Sequence, residues 1–483
     1  MKKNKLKILM ASAEVAPFAK VGGLADVVGS LPAALKNLGC DIRVIMPLYG
    51  SVDRKKYKLK KIFFNLEIFT NGRIVKINLW QTKYNKAEFY FIDYKRYFGN
   101  KKVYFGDNTE RFLFFSSLCL RILPVMKFKP DIIHCHDFHT AMIADLIKVR
   151  NLDYKILYTI HNLNYQGESE IEILSTGNLT VDSLESLSKD AQDNNINFMA
   201  QGIVNADLVN TVSPTYSEEI ATSVYGAGLE KIIKQNKNKI SGILNGIDVD
   251  FFNPAVDKNI KYKYSIKTIN NKIKNKLYLQ KQLGLPISRE TALVGFVSRL
   301  AWQKGIELIT EEAVKNSNCQ FVFLGTGQPE YEQQLKKIAK KFPQKVSTRI
   351  EFDIKLAQMI YAGSDIFLMP SRFEPCGLGQ MIAMRYGTVP IVRATGGLKD
   401  TVNQLKIKNY KLRISNIKAD GFKFDDFTSQ AMRESLEKAL EVYYKKPKIW
   451  KKLMANCMKK DFSWDKSAKE YLKLYRKLIV KKA

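Results

Sequence analysis

The sequence predicts an α/β protein made of two doubly wound, parallel-sheet domains that face each other across a cleft. Three observations carry this expectation. Short apolar runs alternate with helical patterns, the series breaks and restarts near residue 292, and a turn-rich segment separates the two series. At 483 residues the chain is also too long for one ordinary core.

The N-terminal stretch MKKNKLKILMASAEVAPF is basic and then apolar, as a secretion signal is. Lys5 and Lys7 break the apolar run, however, and Glu14 follows soon after, so 6–11 reads as a first buried strand. Further runs of the same kind lie at 41–47, 88–93, 131–136, 155–161 and 207–213. Between the first two, Leu24, Val27, Val28, Leu31, Leu35 and Leu38 share one helix face that Gly39 ends. The opening unit is therefore strand, loop, helix, strand. The pattern restarts at 292–300, 320–327, 365–371 and 388–394. Asn-Gly and Asn-Pro turn signals in NGIDVDFFNP, 245–254, place the connection there, giving a first Rossmann-like domain over 1–247 and a second over 255–460. A closing helix over 463–483, capped by Ser463, puts Trp464, Ala468, Tyr471, Leu472 and Tyr475 on one face. That face needs a surface, and the first domain is the one expected to supply it.

Composition narrows the function classes. With 46% hydrophobic and 26% charged residues, and no run of about 18 uncharged apolar residues, the chain reads as globular with no membrane partner. The six cysteines, at 40, 119, 135, 319, 376 and 457, form no Cys-x-x-Cys pair. Neither a zinc knuckle nor a disulfide framework is signalled, and a reduced, cytoplasmic setting is expected. Lys and Arg outnumber Asp and Glu 78 to 47, a net charge of +31. Such an excess suits nucleic acid, an acidic surface or an anionic small substrate, and charge alone does not choose. It is gathered in Lys-rich runs at 54–61, 258–281 and 445–460, read as solvated helix faces, so nucleic acid is not the expected partner.

Open α/β sheets bind ligands beyond the carboxyl ends of their strands, so the strand-to-helix loops are where function is sought. The first such loop is Lys20-Val21-Gly22-Gly23-Leu24-Ala25-Asp26, whose glycines let a ligand phosphate approach a helix N-terminus. It is neither Gly-x-Gly-x-x-Gly nor a Walker A loop, and a Gly-Gly pair alone is commonly an ordinary turn. In the second series, Arg299 and Lys304 lie just past a strand end, where they can clamp a diphosphate or form a plain surface pair. Ser371-Arg372-Phe373-Glu374-Pro375-Cys376-Gly377-Leu378-Gly379 again follows a strand, and a carboxylate such as Glu374 beside phosphates suits the binding of hydroxyls.

Together with His134-Cys-His-Asp-Phe-His, Thr159-Ile-His-Asn-Leu-Asn-Tyr-Gln-Gly, Thr211-Val-Ser-Pro-Thr-Tyr, Asn245-Gly-Ile-Asp, Gly396-Gly-Leu and the closing Phe462-Ser-Trp, these motifs run in order over nearly the whole chain. The chain resembles the glycogen and starch synthase family of GT-B glycosyltransferases. The resemblance implies transfer of glucose from ADP-glucose or UDP-glucose to the nonreducing end of an α-1,4-glucan such as glycogen, with retention and without a cofactor. It implies that Lys20, Gly22, Gly23, Asp26 and Asn245 meet the donor. Arg299 and Lys304 would neutralise the departing diphosphate, and Glu374 with the backbone of Cys376, Gly377 and Leu378 would hold the donor glucose. His161 is implied in catalysis, with Asp137, Asn162 and Gln166 toward the acceptor.

Three of the four histidines fall within 134–139, which raises the question of a metal. His134 and His136 point the same way on a strand, but no further histidine or acidic cluster completes a familiar ligand set, and no metal is expected. Asp137 and His139 are instead expected at the cleft, with His134 a hydrogen-bonded core residue. Retention normally calls for a carboxylate nucleophile, yet none is marked. A front-face route, in which the departing phosphate takes the acceptor's proton, follows from the family. Closure of the two domains about 245–254 is also expected. Ala200 stands where many members have Lys, and 100–110 is shorter than the usual acceptor-side loop. Two alternatives stay open: another GT-B transferase, of sucrose or trehalose type, and a catalytically dead polyanion-binding relative.

Overall fold

The apolar runs at the centre of the first series are buried on both faces, the condition for parallel strands with helices on either side. The computed structural model describes residues 5–70, 72–406, 414 and 417–480. The chain divides into two compact units, one reaching to Gly246 and including the helix Trp464–Val480, the other spanning Ile247–Ser463. Residues 481–483 of the expected closing helix lie outside the described residues.

The strands of the first unit are β1 (Lys7–Ala11), β2 (Asp41–Pro47), β3 (Lys60–Thr70), β4 (Arg73–Tyr84), β5 (Ala87–Asp93), β6 (Ile132–His136), β7 (Lys155–Ile160), β8 (Glu168–Glu170), β9 (Asn195–Asn197), β10 (Leu208–Thr211) and β11 (Ile240–Gly242). Nine of them form one sheet in the order β11-β10-β7-β6-β1-β2-β5-β4-β3, and β8 pairs with β9. From β11 to β5 every pairing is parallel; only the edge hairpin β3–β4 and its contact with β5 are antiparallel. Chain order reverses between β1 and β6, where Ile8 lies opposite Ile132 and Ala11 opposite Cys135. The crevice beyond these two carboxyl ends is the ligand position of such a sheet.

The helix Gly23–Asn37 buries Leu24, Val27, Val28, Leu31 and Leu35 against the sheet, and Gly39, at φ +92°, turns the chain back toward β2. Trp464, Ala468, Tyr471, Tyr475 and Leu478 of the closing helix join the core of the first unit, with Leu472 partly buried at its margin. Each of these large side chains stabilises the unit by about 1.5–3 kcal/mol through burial.

In the second unit β12 (Ala292–Val297), β13 (Cys319–Leu324), β14 (Val346–Arg349), β15 (Ile366–Met369), β16 (Val389–Arg393) and β17 (Phe422–Phe424) form one parallel sheet in the order β14-β13-β12-β15-β16-β17. Its order reverses between β12 and β15, so the loops after these strands flank the second crevice. β14, Val-Ser-Thr-Arg, and β17, Phe-Lys-Phe, are too short and polar to stand out as apolar runs.

The Lys-rich runs need correcting. Residues 54–61 form a turn leading into β3, not a helix face. Within 258–281, Lys272 and Lys276 are buried. Lys272 Nζ donates to the carbonyls of Tyr361 (3.1 Å) and Ala362 (2.8 Å), and Lys276 Nζ lies 2.8 Å from Asp365. These two cations satisfy helix-end carbonyls and a half-buried carboxylate instead of meeting solvent.

Candidate active site

At the carboxyl end of β1 the chain loops back before entering the helix Gly23–Asn37. Glu14, buried beneath this loop, accepts the backbone N–H of Val21 (2.6 Å) and of Gly22 (2.8 Å) on Oε2, while Oε1 accepts the Tyr104 hydroxyl. One carboxyl group thus ties the Lys20–Gly22 loop to the segment after β5. Arg111 holds that segment from the other side, donating to the carbonyls of Tyr97 (2.7 Å), Val103 (3.1 Å) and Phe105 (3.1 Å). Lys20 Nζ lies 2.6 Å from Asp26 Oδ1, in a pair 48% and 29% exposed. Burial raises the Asp26 carboxyl, and Lys20 works against that rise. A Cβ added at Gly22 or Gly23 would meet nothing within 4 Å, and neither residue has positive φ. The fold itself does not require glycine at either position.

At the end of β6, Asp137 adopts φ +51° and ψ −174°, a conformation that costs about 1–3 kcal/mol for a residue with a side chain. The strain brings Oδ1 to the backbone N–H of His161 at 2.7 Å and of Asn162 at 3.4 Å, which fixes the chain leaving β7. Burial pushes the Asp137 carboxyl up to about 7, with the two N–H groups opposing. His161 Nε2 is 3.0 Å from His136 Nδ1, and burial lowers His161 to about 3. His134 bridges the Tyr475 hydroxyl (2.8 Å) and Thr159 Oγ1 (2.6 Å), as a core histidine does.

His139, expected at the cleft, is buried within the first unit. It is 4% exposed, its ring stacked on Tyr104 and set edge-on to Phe112, and burial lowers it to about 3. Gln166 uses its amide as a brace, donating to Ala227 O (2.8 Å) and accepting from Asn197 (2.5 Å). Asn162 Oδ1 accepts the Asn164 N–H at 3.2 Å. Asn245 is buried, and its Oδ1 has no partner among the described residues.

In the second unit, Lys304 Nζ reaches both oxygens of Glu374, at 2.9 and 2.7 Å, and Ser371 Oγ donates to Glu374 Oε2 at 3.1 Å. The loops after β12 and β15 are thereby joined across the switch point of that sheet. Arg299 is exposed and forms no ion pair among the described residues. Gly396 and Gly397 allow the next turn to press against the loop: a Cβ at Gly397 would stand 2.1 Å from Cys376 O. Cys376 and Gly377 are buried, Leu378 is half-buried, and the helix Gly379–Arg385 begins directly after them.

Sequence reasoning missed Glu14, Tyr104 and His136. Glu14 could have been found as a charged residue just past an apolar strand; no local signal marks Tyr104 as its partner. Among the described residues no group of three or more His, Cys, Asp or Glu is placed to hold a metal ion, and no helix is long and apolar enough to cross a membrane.

Two family models match successive parts of the chain, the starch synthase catalytic domain over residues 7–235 and glycosyl transferases group 1 over residues 282–454. The glycogen synthase of Thermotoga petrophila is 41% identical over 496 aligned residues, covering 99% of each chain. The chain belongs to the glycogen and starch synthase family. It is a glycosyltransferase, with that family's two-domain α/β fold, GT-B. Within the family, the glycogen synthase of Streptococcus pneumoniae is 41% identical over 98% of this chain and 100% of its own length. The catalytic domain of starch synthase IV from Arabidopsis thaliana, bound to ADP and acarbose, matches with a TM-score of 0.91 at 35% identity, covering 99% of this chain and 100% of that one. A sucrose-phosphate synthase from Thermosynechococcus elongatus, at 17% identity and a TM-score of 0.61, shares the fold alone.

Proposed function

We propose that this glycogen and starch synthase family member elongates α-1,4-glucan by transferring glucose from ADP-glucose to the nonreducing end, with retention at the anomeric carbon. The observation that carries the donor is the full-length likeness to a starch synthase bound to ADP and acarbose. The sugar's C1–O bond to the β-phosphate breaks, a bond from C1 to the acceptor oxygen forms on the same face, and the acceptor's proton passes to the departing phosphate. Negative charge grows on that phosphate, so cations aimed at it stabilise the transition state more than the ground state.

In this scheme Arg299, with no partner of its own among the described residues, is the cation free to meet that charge. Lys20, in the first unit, can meet phosphate by leaving Asp26 Oδ1, 2.6 Å away. Glu374, held by Lys304 and Ser371, is a poor nucleophile and keeps lone pairs for sugar hydroxyls. His161, neutral at physiological pH, works as a hydrogen-bonding group and not as a charged acid. Asp137 holds its backbone in place. The scheme draws on no cofactor or metal. The six free, buried cysteines support a reducing, cytoplasmic setting.

The test is nucleoside diphosphate release from ADP-glucose and UDP-glucose, with and without glycogen or a maltooligosaccharide. Release of ADP that depends on glucan and lengthens it is the expected result. Preference for UDP-glucose would overturn the donor, and release without chain growth would overturn the acceptor. EDTA is expected to leave turnover unchanged; a loss restored by a divalent cation would overturn the metal-free scheme.

A further inference from the structure

We infer that His136 is a positioning residue that fixes the ring tautomer of His161, so that His161 presents its Nδ1–H as a donor to the reacting sugar. The sugar as recipient rests on the proposed function; the tautomer does not.

The hydrogen bonds around the strand ends β6 and β7 determine where each proton lies. Asn210 Nδ2 donates to the Tyr471 hydroxyl (3.2 Å) and to Thr211 O (3.3 Å), which leaves its Oδ1 as an acceptor. Thr159 Oγ1 gives its single proton to that oxygen at 2.6 Å. Thr159 must therefore accept from His134 Nε2, and His134 carries its proton on Nε2. Its Nδ1 then accepts the Tyr475 hydroxyl.

His136, whose ring lies 4.1 Å from that of His134, has two possible arrangements with His161. If His161 Nε2–H donated, the His136 proton would lie on Nε2, an atom buried with no hydrogen-bond partner among the described residues. If His136 Nδ1–H donates, the atom left without a partner is a lone pair. Buried N–H groups without acceptors are rarer and more costly than under-used acceptors, so His136 Nδ1–H donates to His161 Nε2. Burial, reinforced for His136 by the neighbouring histidines, holds both rings neutral at physiological pH. Neutral His161 must then carry its one proton on Nδ1. That nitrogen has no partner among the described residues and is not among the buried unpaired atoms, so it is open to a ligand.

The test uses full-length protein labelled with nitrogen-15 at histidine. Four residues give a spectrum simple enough to assign, and long-range proton–nitrogen correlations separate the two tautomers. His136 and His161 are expected as Nδ1–H forms and His134 as the Nε2–H form; an Nε2–H form of His161 in the wild type would overturn the inference. His136→Leu is expected to release His161 from the Nδ1–H form and lower kcat about tenfold or more, with ADP affinity unchanged. His136→Asn, whose amide nitrogen stands near the place of Nδ1, is expected to restore both, whereas a purely packing role would favour Leu over Asn. If His136→Leu does not fold, the wild-type spectrum still decides the tautomer. Wild-type protein with the expected spectrum but no glucosyl transfer would overturn the sugar as recipient, and with it the function proposed above.

Discussion

Glu14 shows how a single side chain can organise a loop that carries no regular structure. Its carboxyl group satisfies two consecutive N–H groups and a tyrosine hydroxyl. Glu14→Ala leaves all three without that acceptor, at about 1–3 kcal/mol for each group that stays buried. The expected outcome is a KM for the sugar nucleotide raised about tenfold or more, with the KM for glucan unmoved, in steady-state kinetics. Gln at this position keeps one acceptor oxygen and should lose less. Glu374 makes the complementary case. As a holder of hydroxyls, Glu374→Gln should cut turnover without trapping a glycosyl-enzyme, and a covalent adduct detected by mass spectrometry would show that a carboxylate attacks C1 after all. Of the candidate residues, Lys20, Arg299 and Glu374 were legible because each stands in a loop directly after an apolar strand. Gln166 illustrates the limit: the motif that contains it says nothing of the carbonyl of Ala227, 61 residues away, to which it donates.

Among the elements, the closing helix Trp464–Val480 has the clearest energetic role. Its apolar stripe was legible at helical spacing, and the structure buries that stripe in the core of the first unit, with Tyr471 and Tyr475 fully enclosed. Tyr471→Ala removes a large buried side chain and should destabilise the first unit by about 3–5 kcal/mol in denaturant unfolding. Tyr471→Phe, which loses the bond from Asn210, should cost about 1 kcal/mol. The central strands were legible as apolar runs. The hairpin β3–β4 was not, because Phe63, Phe64, Phe69 and Ile74 are exposed and lysines interrupt the pattern that marks a buried strand.

Over the whole molecule, the buried histidines dictate how stability responds to acid. Burial lowers His139 and His161 to about 3 and His134 and His136 well below their ordinary 6.5. The unfolded chain takes up these four protons below pH 6.5 while the folded chain refuses them, so they remove stability as pH falls. Burial raises Asp137 and Asp145 to about 7 from 3.8, so the folded chain holds two protons that the unfolded chain has released, with the opposite sign. Burial also raises Asp26, Asp190 and Asp420, whose contributions share that opposite sign and offset part of the histidine effect. Unfolding free energies measured between about pH 4 and 6.5 should fall toward acid, the sign set by the four histidines; a profile that rises toward acid would mean that the raised carboxyls outweigh them.

By itself the sequence determined the α/β class, the two series of strands, the loops worth searching and the family resemblance, because strand and helix periods repeat within a few residues and turn chemistry is local. Only the tertiary structure decided which side chains meet. His136 and His161 are 25 residues apart, Lys304 and Glu374 are 70 apart, and Glu14 and Tyr104 are 90 apart. A parallel sheet brings them together because every crossover returns the chain to the same edge, so loops distant in sequence end side by side. No pattern within a single loop records which other loop that will be.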